Sequence, residues 1–260
     1  MHVALLATCL IDTFRPNAGF AAVSLLEQAG CDVDVPIQQT CCGQPAYNNG
    51  DLSNARVLAR QVIGMLSGYE YVVVPSASCA GMLKQHYSHL FEDDPLWQEK
   101  ALDLSRRCYE LIGFLHDILQ VSAFPVRYQG SITYHDSCSS LREVPSKQKV
   151  RQLLACNNKL HLIELKDAEV CCGFGGTFCV KFPEIATSMV NDKVTNIEAS
   201  AAEMLVSADM GCLLHIAGRL KRLNNSIRVY HIAELLAGMT DTPGIGEGTD
   251  GPNVATETLP

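Results

Sequence analysis

Two adjacent cysteines followed by glycine occur twice in this chain, as Cys41-Cys42-Gly43 and Cys171-Cys172-Gly173. Each pair has a lone cysteine upstream and another downstream, so the first set is Cys9, Cys41, Cys42 and Cys79 and the second is Cys138, Cys171, Cys172 and Cys212. The step from single to pair is 32 positions in the first set and 33 in the second, and the step from pair to last cysteine is 37 and 40. Core packing does not require the same cysteine spacing twice. The pattern therefore calls for two related halves and for a reason to gather thiols.

The rest of the chain follows the same plan. Val3 to Ala7 is an apolar run of strand length with Cys9 just after it. A helix is expected from Asn17 to Ala29, with Phe20, Val23, Leu26 and Ala29 on its apolar face and Gly30 as a left-handed C-cap. Val33, Val35 and Ile37 alternate like a strand, and Pro36 places it at an edge or an end. Asp51 is a candidate N-cap for a helix to Ser67, Tyr71 to Pro75 is a strand with Cys79 just past it, and a short helix from about Ala80 to Leu90 follows.

Asp94-Pro95 starts a helical stretch to residue 120 that has no visible counterpart in the second half. It is read as a connector. The second half then gives strands at 131–134, 160–163, 204–206 and 227–230, with helices near 146–155, 183–199, 215–223 and before Gly238. The expected organisation is a first repeat over 1–93, a helical connector over 94–129, a second repeat over 130–239, and a disordered polar tail over 240–260. Alternating strands and helices mean an α/β fold. Each half is expected to be a small, mostly parallel sheet of three strands flanked by helices, with an extra strand in the second. Loops at the C-terminal ends of such strands converge on one rim, where open α/β proteins bind ligands. Cysteines distant in sequence can meet there.

Composition narrows the chemistry. The net charge of −8, with no Lys/Arg cluster, argues against a nucleic-acid partner. No apolar run reaches the length of a membrane span, and the N-terminus lacks the features of a signal peptide, so a cytoplasmic location is expected. Twelve cysteines in a reducing compartment point to metal or redox chemistry rather than to disulfides.

Four thiolates suit an iron–sulfur cluster or a zinc ion. Both residues of a vicinal pair can face one centre only if the chain bends sharply, and the following glycine permits this. Cys31, Cys108 and Cys156 fall outside the repeat and read as small buried hydrophobes. Cys179 and His215 stand close enough to the second set to be ligands or neighbours of one, and His135 and Asp136 precede Cys138 as candidate polar support. Gly173-Phe174-Gly175-Gly176 lacks the spacing of a phosphate loop, and no flavin or nicotinamide site is visible.

The two Cys-Cys-Gly units with their flanking cysteines resemble the cysteine-rich CCG domain family, which includes heterodisulfide reductase B subunits, the glycolate oxidase iron–sulfur subunit and the lactate utilization A proteins. The stretches Ala7-Thr8-Cys9-Leu10, Pro75 to Met82, Cys171 to Phe178 and Gly211 to Gly218 are most similar to the lactate utilization branch. That resemblance covers about residues 1–240. It implies a cytoplasmic iron–sulfur protein that helps oxidise L-lactate to pyruvate, independent of NAD, together with lactate utilization proteins B and C. The heterodisulfide reductase pattern closes each unit with Cys-x-x-Cys. Here the ends are Cys79-Ala80-Gly81-Met82 and Cys212-Leu213-Leu214-His215. Four cysteines per site fit one [4Fe–4S] cluster each rather than a five-cysteine, disulfide-cleaving site. Two other readings stay open at this point: a zinc-bound scaffold, and a thiol–disulfide oxidoreductase acting through the vicinal pairs. No catalytic base can be assigned, although His135 and His215 are the nearest candidates.

Overall fold

The computed structural model describes residues 1–247. Among them are eight strands: β1 (His2–Leu5), β2 (Asp32–Asp34), β3 (Tyr71–Val74), β4 (Cys108–Glu110), β5 (Gly130–Tyr134), β6 (Leu160–Leu162), β7 (Met204–Ser207) and β8 (Arg228–His231). They form two four-stranded parallel sheets with the same order, β2-β1-β3-β4 and β6-β5-β7-β8. Val3 lies opposite Val33 and Tyr71 in the first, and Ile132 lies opposite Leu162 and Met204 in the second.

The inner strands are short and largely apolar because both faces are covered, whereas the edge strands β2 (Asp-Val-Asp) and β6 (Leu-His-Leu) carry exposed polar residues. Val3, Leu5 and Val73 on one face join Ile132, Tyr134 and Val206 of the other sheet in a single core cluster. The opposite faces are private. Ala4, Leu6, Val72 and Val74 pack on Ala55, Ala59 and Val62 of the helix Leu52–Met65. Leu205 and Val229 pack on Val190, Val194 and Ile197 of the helix Pro183–Ala199. The two halves thus share a core, and truncating a residue in it, as in Leu5→Ala, is expected to cost about 2–5 kcal/mol.

Side chains also cross between the halves. The helix Cys9–Phe14 leans on the helix Met210–Arg222, and Ile11 enters the second half's core. The equivalent helix Cys138–Arg142 leans on Ala77–Gly81. Arg15 pairs with the buried carboxylate of Glu234 at 2.8 Å, and His231 Nε2 sits 3.0 Å from the carbonyl of Pro75. These exchanges lock the two rims side by side.

Local signals behave as their chemistry requires. Asp51 and Asp94 accept from the backbone N–H of Asn54 and Trp97 as N-caps, and Gly30 ends its helix at φ 86°. Other expectations need correction. The stretch 94–129 is not wholly helical. It contains β4, which extends the first sheet and is the counterpart of β8, so the first sheet has four strands rather than three and matches the second. Three residues were too short to show the alternation that marks a strand.

In the helix Pro16–Gln28 the buried face is Ala18, Ala21, Ala22, Leu25 and Leu26, while Phe20 is exposed. Small alanines let the helix sit close to its neighbours, and a ring at Phe20 would hold it away. The strand is Asp32–Asp34, so it ends before Val35, and Ile37 is fully exposed. The tail is ordered as far as Glu247, for Thr240 and Ile245 are buried and Ile245 N–H donates to Val229 O at 2.8 Å. The remainder of the expected disordered segment lies outside the described residues. No helix among the described residues is long and apolar enough to cross a membrane.

Candidate metal centres

Cys9 and Cys138 open helices directly after β1 and β5, and Cys79 and Cys212 lie in the first turn of helices directly after β3 and β7. The vicinal pairs lie in the irregular chain after β2 and β6. All eight thus sit at the C-terminal rim of their sheet, the four single cysteines on helix starts and the two pairs in irregular chain. Parallel strands aim them together. In the first set the thiols contact one another in the order Cys9, Cys41, Cys42, Cys79, with Cys42 and Cys79 sulfurs 3.3 Å apart. The second set repeats the order as Cys138, Cys171, Cys172, Cys212.

The turn at each pair is the same. Gly43 and Gly173 adopt φ of 85° and 83°, and their N–H groups point back at the sulfurs of Cys41 and Cys171, 3.5 and 3.4 Å away. Left-handed backbone here lets both cysteines of a pair face inward. Thr8, next to Cys9, is also held at φ 71°, a strained conformation for a β-branched residue.

The carbonyl of Cys42 is fixed by the Tyr87 hydroxyl at 2.8 Å. In the second half the imidazole of His215 lies against the carbonyl of Cys172 and packs on Phe174, with burial pushing its pKa down. Phe174 in turn covers Gly211, where a Cβ would lie 2.4 Å from the ring.

Electrostatics favour one thiolate per set. Cys41 is pulled down to about 2 by hydrogen bonds from Cys42 and Cys9, and Cys171 to about 2 by bonds from Cys138 and Cys172. Their partners Cys9, Cys42, Cys138 and Cys172 are pushed up by the same bonds. Groups of thiols that share charge in this way are ready to bind a metal, since coordination replaces the protons.

Both sets open into one cavity of about 450 Å³ between the halves. Its walls include Cys9, Cys41, Cys42, Cys79, Cys138 and Cys212, with Tyr47, Phe174 and Gly175. His86 and Glu143 also line it, paired at 3.4 Å across the halves, and Glu143 occupies the space a side chain at Gly81 would need. His86 belongs to a π-helical turn, Met82–His86, a rare geometry that recurs at functional sites.

At the base of the cavity Asp209 is buried and accepts from Ser78 N–H at 3.0 Å and Ser78 Oγ at 2.8 Å. It caps the first turn of the other half's helix, and burial raises its pKa. Sequence reading missed His86, Glu143, Tyr47 and Asp209. None belongs to the cysteine repeat, and only the joining of the halves brings them to the site.

The other sequence candidates separate clearly. His135 is buried, with neither ring nitrogen hydrogen-bonded, and a ring nitrogen lies within 4.8 Å of the sulfurs of Cys172 and Cys212, which are themselves within that distance of each other. Burial pushes its pKa down to about 3. Asp136 instead forms a two-pronged ion pair with Arg151, at 2.6 Å for each prong. The Cys179 thiol is turned to the carbonyl of Gly176. Cys31 and Cys108 are buried as expected, but Cys156 is exposed, since it follows the last turn of its helix on the solvent side.

The donor chemistry fits a metal ion or cluster. Four soft thiols per site and an unsatisfied buried imidazole are what such a group would complete. Contact at 3.3 Å between Cys42 and Cys79 is closer than the ~3.8 Å edge of a tetrahedral zinc–thiolate site, so the first set must open to admit one, into the space the cavity provides.

Comparison with known proteins accords with this arrangement. Residues 3–84 and 132–217 both match the cysteine-rich CCG domain, so the sheets and thiol sets define a tandem CCG protein. The chain is 46% identical over 236 residues to lactate utilization protein A of Geobacillus thermodenitrificans, covering 91% of this chain and 98% of that one. It is 47% identical to the protein of that name from Geobacillus kaustophilus and 44% identical to that from Oceanobacillus iheyensis, over 91% of this chain and 98% and 96% of theirs. The chain belongs to the lactate utilization protein A family. Among solved structures, an aspartate racemase homologue from Pyrococcus horikoshii aligns with a TM-score of 0.35 at 11% identity over 91% of this chain and 95% of its own, too remote to carry any argument.

Proposed function

We propose that this chain is the iron–sulfur subunit of a cytoplasmic, NAD-independent system that oxidises L-lactate to pyruvate. Cys9, Cys41, Cys42 and Cys79 would hold one [4Fe–4S] cluster, and Cys138, Cys171, Cys172 and Cys212 another. The observation that supports this most is the meeting of two four-thiol sets at one cavity, in a chain whose relatives carry the name lactate utilization protein A. A cluster at such a site supplies one-electron redox capacity. The protein's residues set its conditions. Gly43 and Gly173 direct N–H groups at sulfur, Tyr87 fixes the first pair, and Asp209 with its serines holds the two rims together.

The role is electron transfer within a complex rather than complete catalysis. No lysine or arginine lines the cavity among the described residues, while Glu143 and Asp209 do. A lactate carboxylate would therefore meet no cationic anchor there, which favours placing the hydroxy-acid chemistry on a partner. Lactate utilization proteins B and C are the partners in this reading.

One observation favours a second reading, a single zinc ion in the second half. The His135, Cys172 and Cys212 donor atoms lie within 4.8 Å of one another, a spacing that one small ion could close. The two readings separate on anaerobic purification with iron, zinc and acid-labile sulfide measured together. About eight iron and eight sulfide per chain is the expected result for two cubane clusters. Zinc without sulfide would overturn the electron-transfer role. Reconstitution with proteins B and C should then restore lactate-dependent reduction of an artificial acceptor, and no such reduction by a fully loaded chain would reject the lactate assignment.

A further inference from the structure

The two centres have the same thiols but different surroundings. His135 stands three residues before Cys138, and Leu6 stands three before Cys9. Both are buried, one as an imidazole with two unpartnered nitrogens and the other as part of an apolar core. A second exchange lies beneath the vicinal pair. Gly43 packs on Leu58 and Gly173 on Met189, and one helical turn further along are Val62 and Lys193. Val62 is in the apolar core, whereas Lys193 is buried with Nζ directed at the carbonyls of Asp167 and Ala168, 3.3 and 3.4 Å away. At both places an aliphatic group of the first half is replaced by a nitrogen donor in the second.

We infer that His135 donates its N–H to the sulfur of the second centre, and that this bond, with the Lys193 charge behind it, makes the second centre the more easily reduced of the two. Neutral imidazole carries one N–H donor and one bare acceptor, and a buried donor without an acceptor is costly. Within reach are the sulfurs of Cys172 and Cys212. Hydrogen bonds to sulfur and nearby positive charge both stabilise the reduced, more negative cluster and raise its potential. Of the opposing carboxylates, Asp136 is neutralised by Arg151, while Asp209 keeps its charge near Cys138 and Cys212 and works against the effect, softened by the N–H and hydroxyl of Ser78 that it accepts from. Electrons entering the chain would therefore collect in the second half, which gives the pair of centres a direction.

This inference rests on the iron–sulfur reading, and one experiment tests both separately. Wild type, His135→Leu and His135→Gln are purified anaerobically, assayed for iron and sulfide, and titrated potentiometrically with EPR detection. The expected result is two separated reduction steps in the wild type. His135→Leu lowers the upper step toward the lower, leaves the lower in place and keeps the iron content. His135→Gln, which retains an N–H, recovers part of the shift. Pulsed EPR of the reduced wild type shows an imidazole nitrogen coupling that both variants lose. Full iron with both potentials unmoved, or no imidazole coupling, would overturn the inference and leave the iron–sulfur reading standing. A chain with no iron would overturn both. Should His135→Leu fail to fold, the glutamine variant and the nitrogen coupling still decide the matter.

Discussion

The two halves use one scaffold and differ in what lies behind it. Strand order, thiol order, the φ of the glycine after each pair and the aim of its N–H at sulfur are the same on both sides. The groups that hold this geometry are not. Tyr87, eight residues after Cys79, fixes the carbonyl of Cys42, whereas His215, three after Cys212, lies against that of Cys172. Leu6 faces His135, Val62 faces Lys193, and Ser76 faces Asp209 in the pseudo-symmetric comparison. The difference teaches that ligand geometry tolerates little change after a duplication. The polar shell around the same four thiols is free to diverge.

The largest test of that comparison removes one thiol at a time. Cys42→Ser and Cys172→Ser are each expected to lose about half of the bound metal, since each set is complete in its own half. Metal analysis checks this, and loss of all metal from either single variant would show that the sets do not load independently.

Glycine replacement should sharpen the contrast. A Cβ at Gly173 would lie 2.9 Å from both Ala186 O and Met189 Cβ, but at Gly43 the nearest atom is 3.5 Å away. Gly43→Ala carries only the left-handed backbone penalty, about 1–2 kcal/mol, and Gly173→Ala adds a clash for a total of about 3 kcal/mol or more. Denaturant titration of the two variants reads the gap, and equal costs would refute the asymmetry.

The ends of β4 and β8 offer a third contrast. Glu110 and His231 occupy matching positions, both fully buried and both accepting from the turn that follows. Burial raises Glu110 from 4.5 to about 7 and lowers His231 from 6.5 to about 4. Between about pH 4.5 and 7 the folded chain holds more protons at Glu110 than the unfolded chain, so that residue makes stability fall as pH rises. Between about pH 4 and 6.5 the folded chain holds fewer protons at His231, so that residue makes stability rise with pH. The slopes oppose each other where the windows overlap. Glu110→Gln is expected to leave a profile that climbs more steeply with pH over that range, and His231→Gln one that falls. Each contribution spans roughly 3 kcal/mol when fully titrated. Unfolding midpoints measured from pH 4 to 7.5 decide the signs.

The smallest effect is expected at Tyr87→Phe, which leaves the buried carbonyl of Cys42 without its donor at a cost of about 1–2 kcal/mol. The second pair has no tyrosine to lose, so only the first centre should become more labile to chelators. Equal loss of metal from both centres would count against the assignment.

Much of this organisation was legible in the chain itself. The repeated cysteine spacing announced two halves because it recurs along the chain, while apolar runs announced strands and Asp51, Asp94 and Gly30 announced helix ends because these depend on neighbours within a few residues. β4 was hidden, since three residues between helical stretches carry no periodicity. Phe20 misled, because a large apolar residue marks a buried face only when the neighbour leaves room, and here close packing selected alanine. The fourth strand, the shared core and the ordered segment to Glu247 all come from contacts between distant elements.

The sequence alone determined which atoms could be ligands. Thiols at fixed offsets after parallel strands must reach one rim, because strand direction and length set where the chain emerges. Only the tertiary structure decided that the two rims face the same cavity, that His86 and Glu143 stand on its wall, and that His135 brings a ring nitrogen within 4.8 Å of the Cys172 and Cys212 sulfurs. Those facts depend on how two sheets pack across a common core, and no local spacing encodes that.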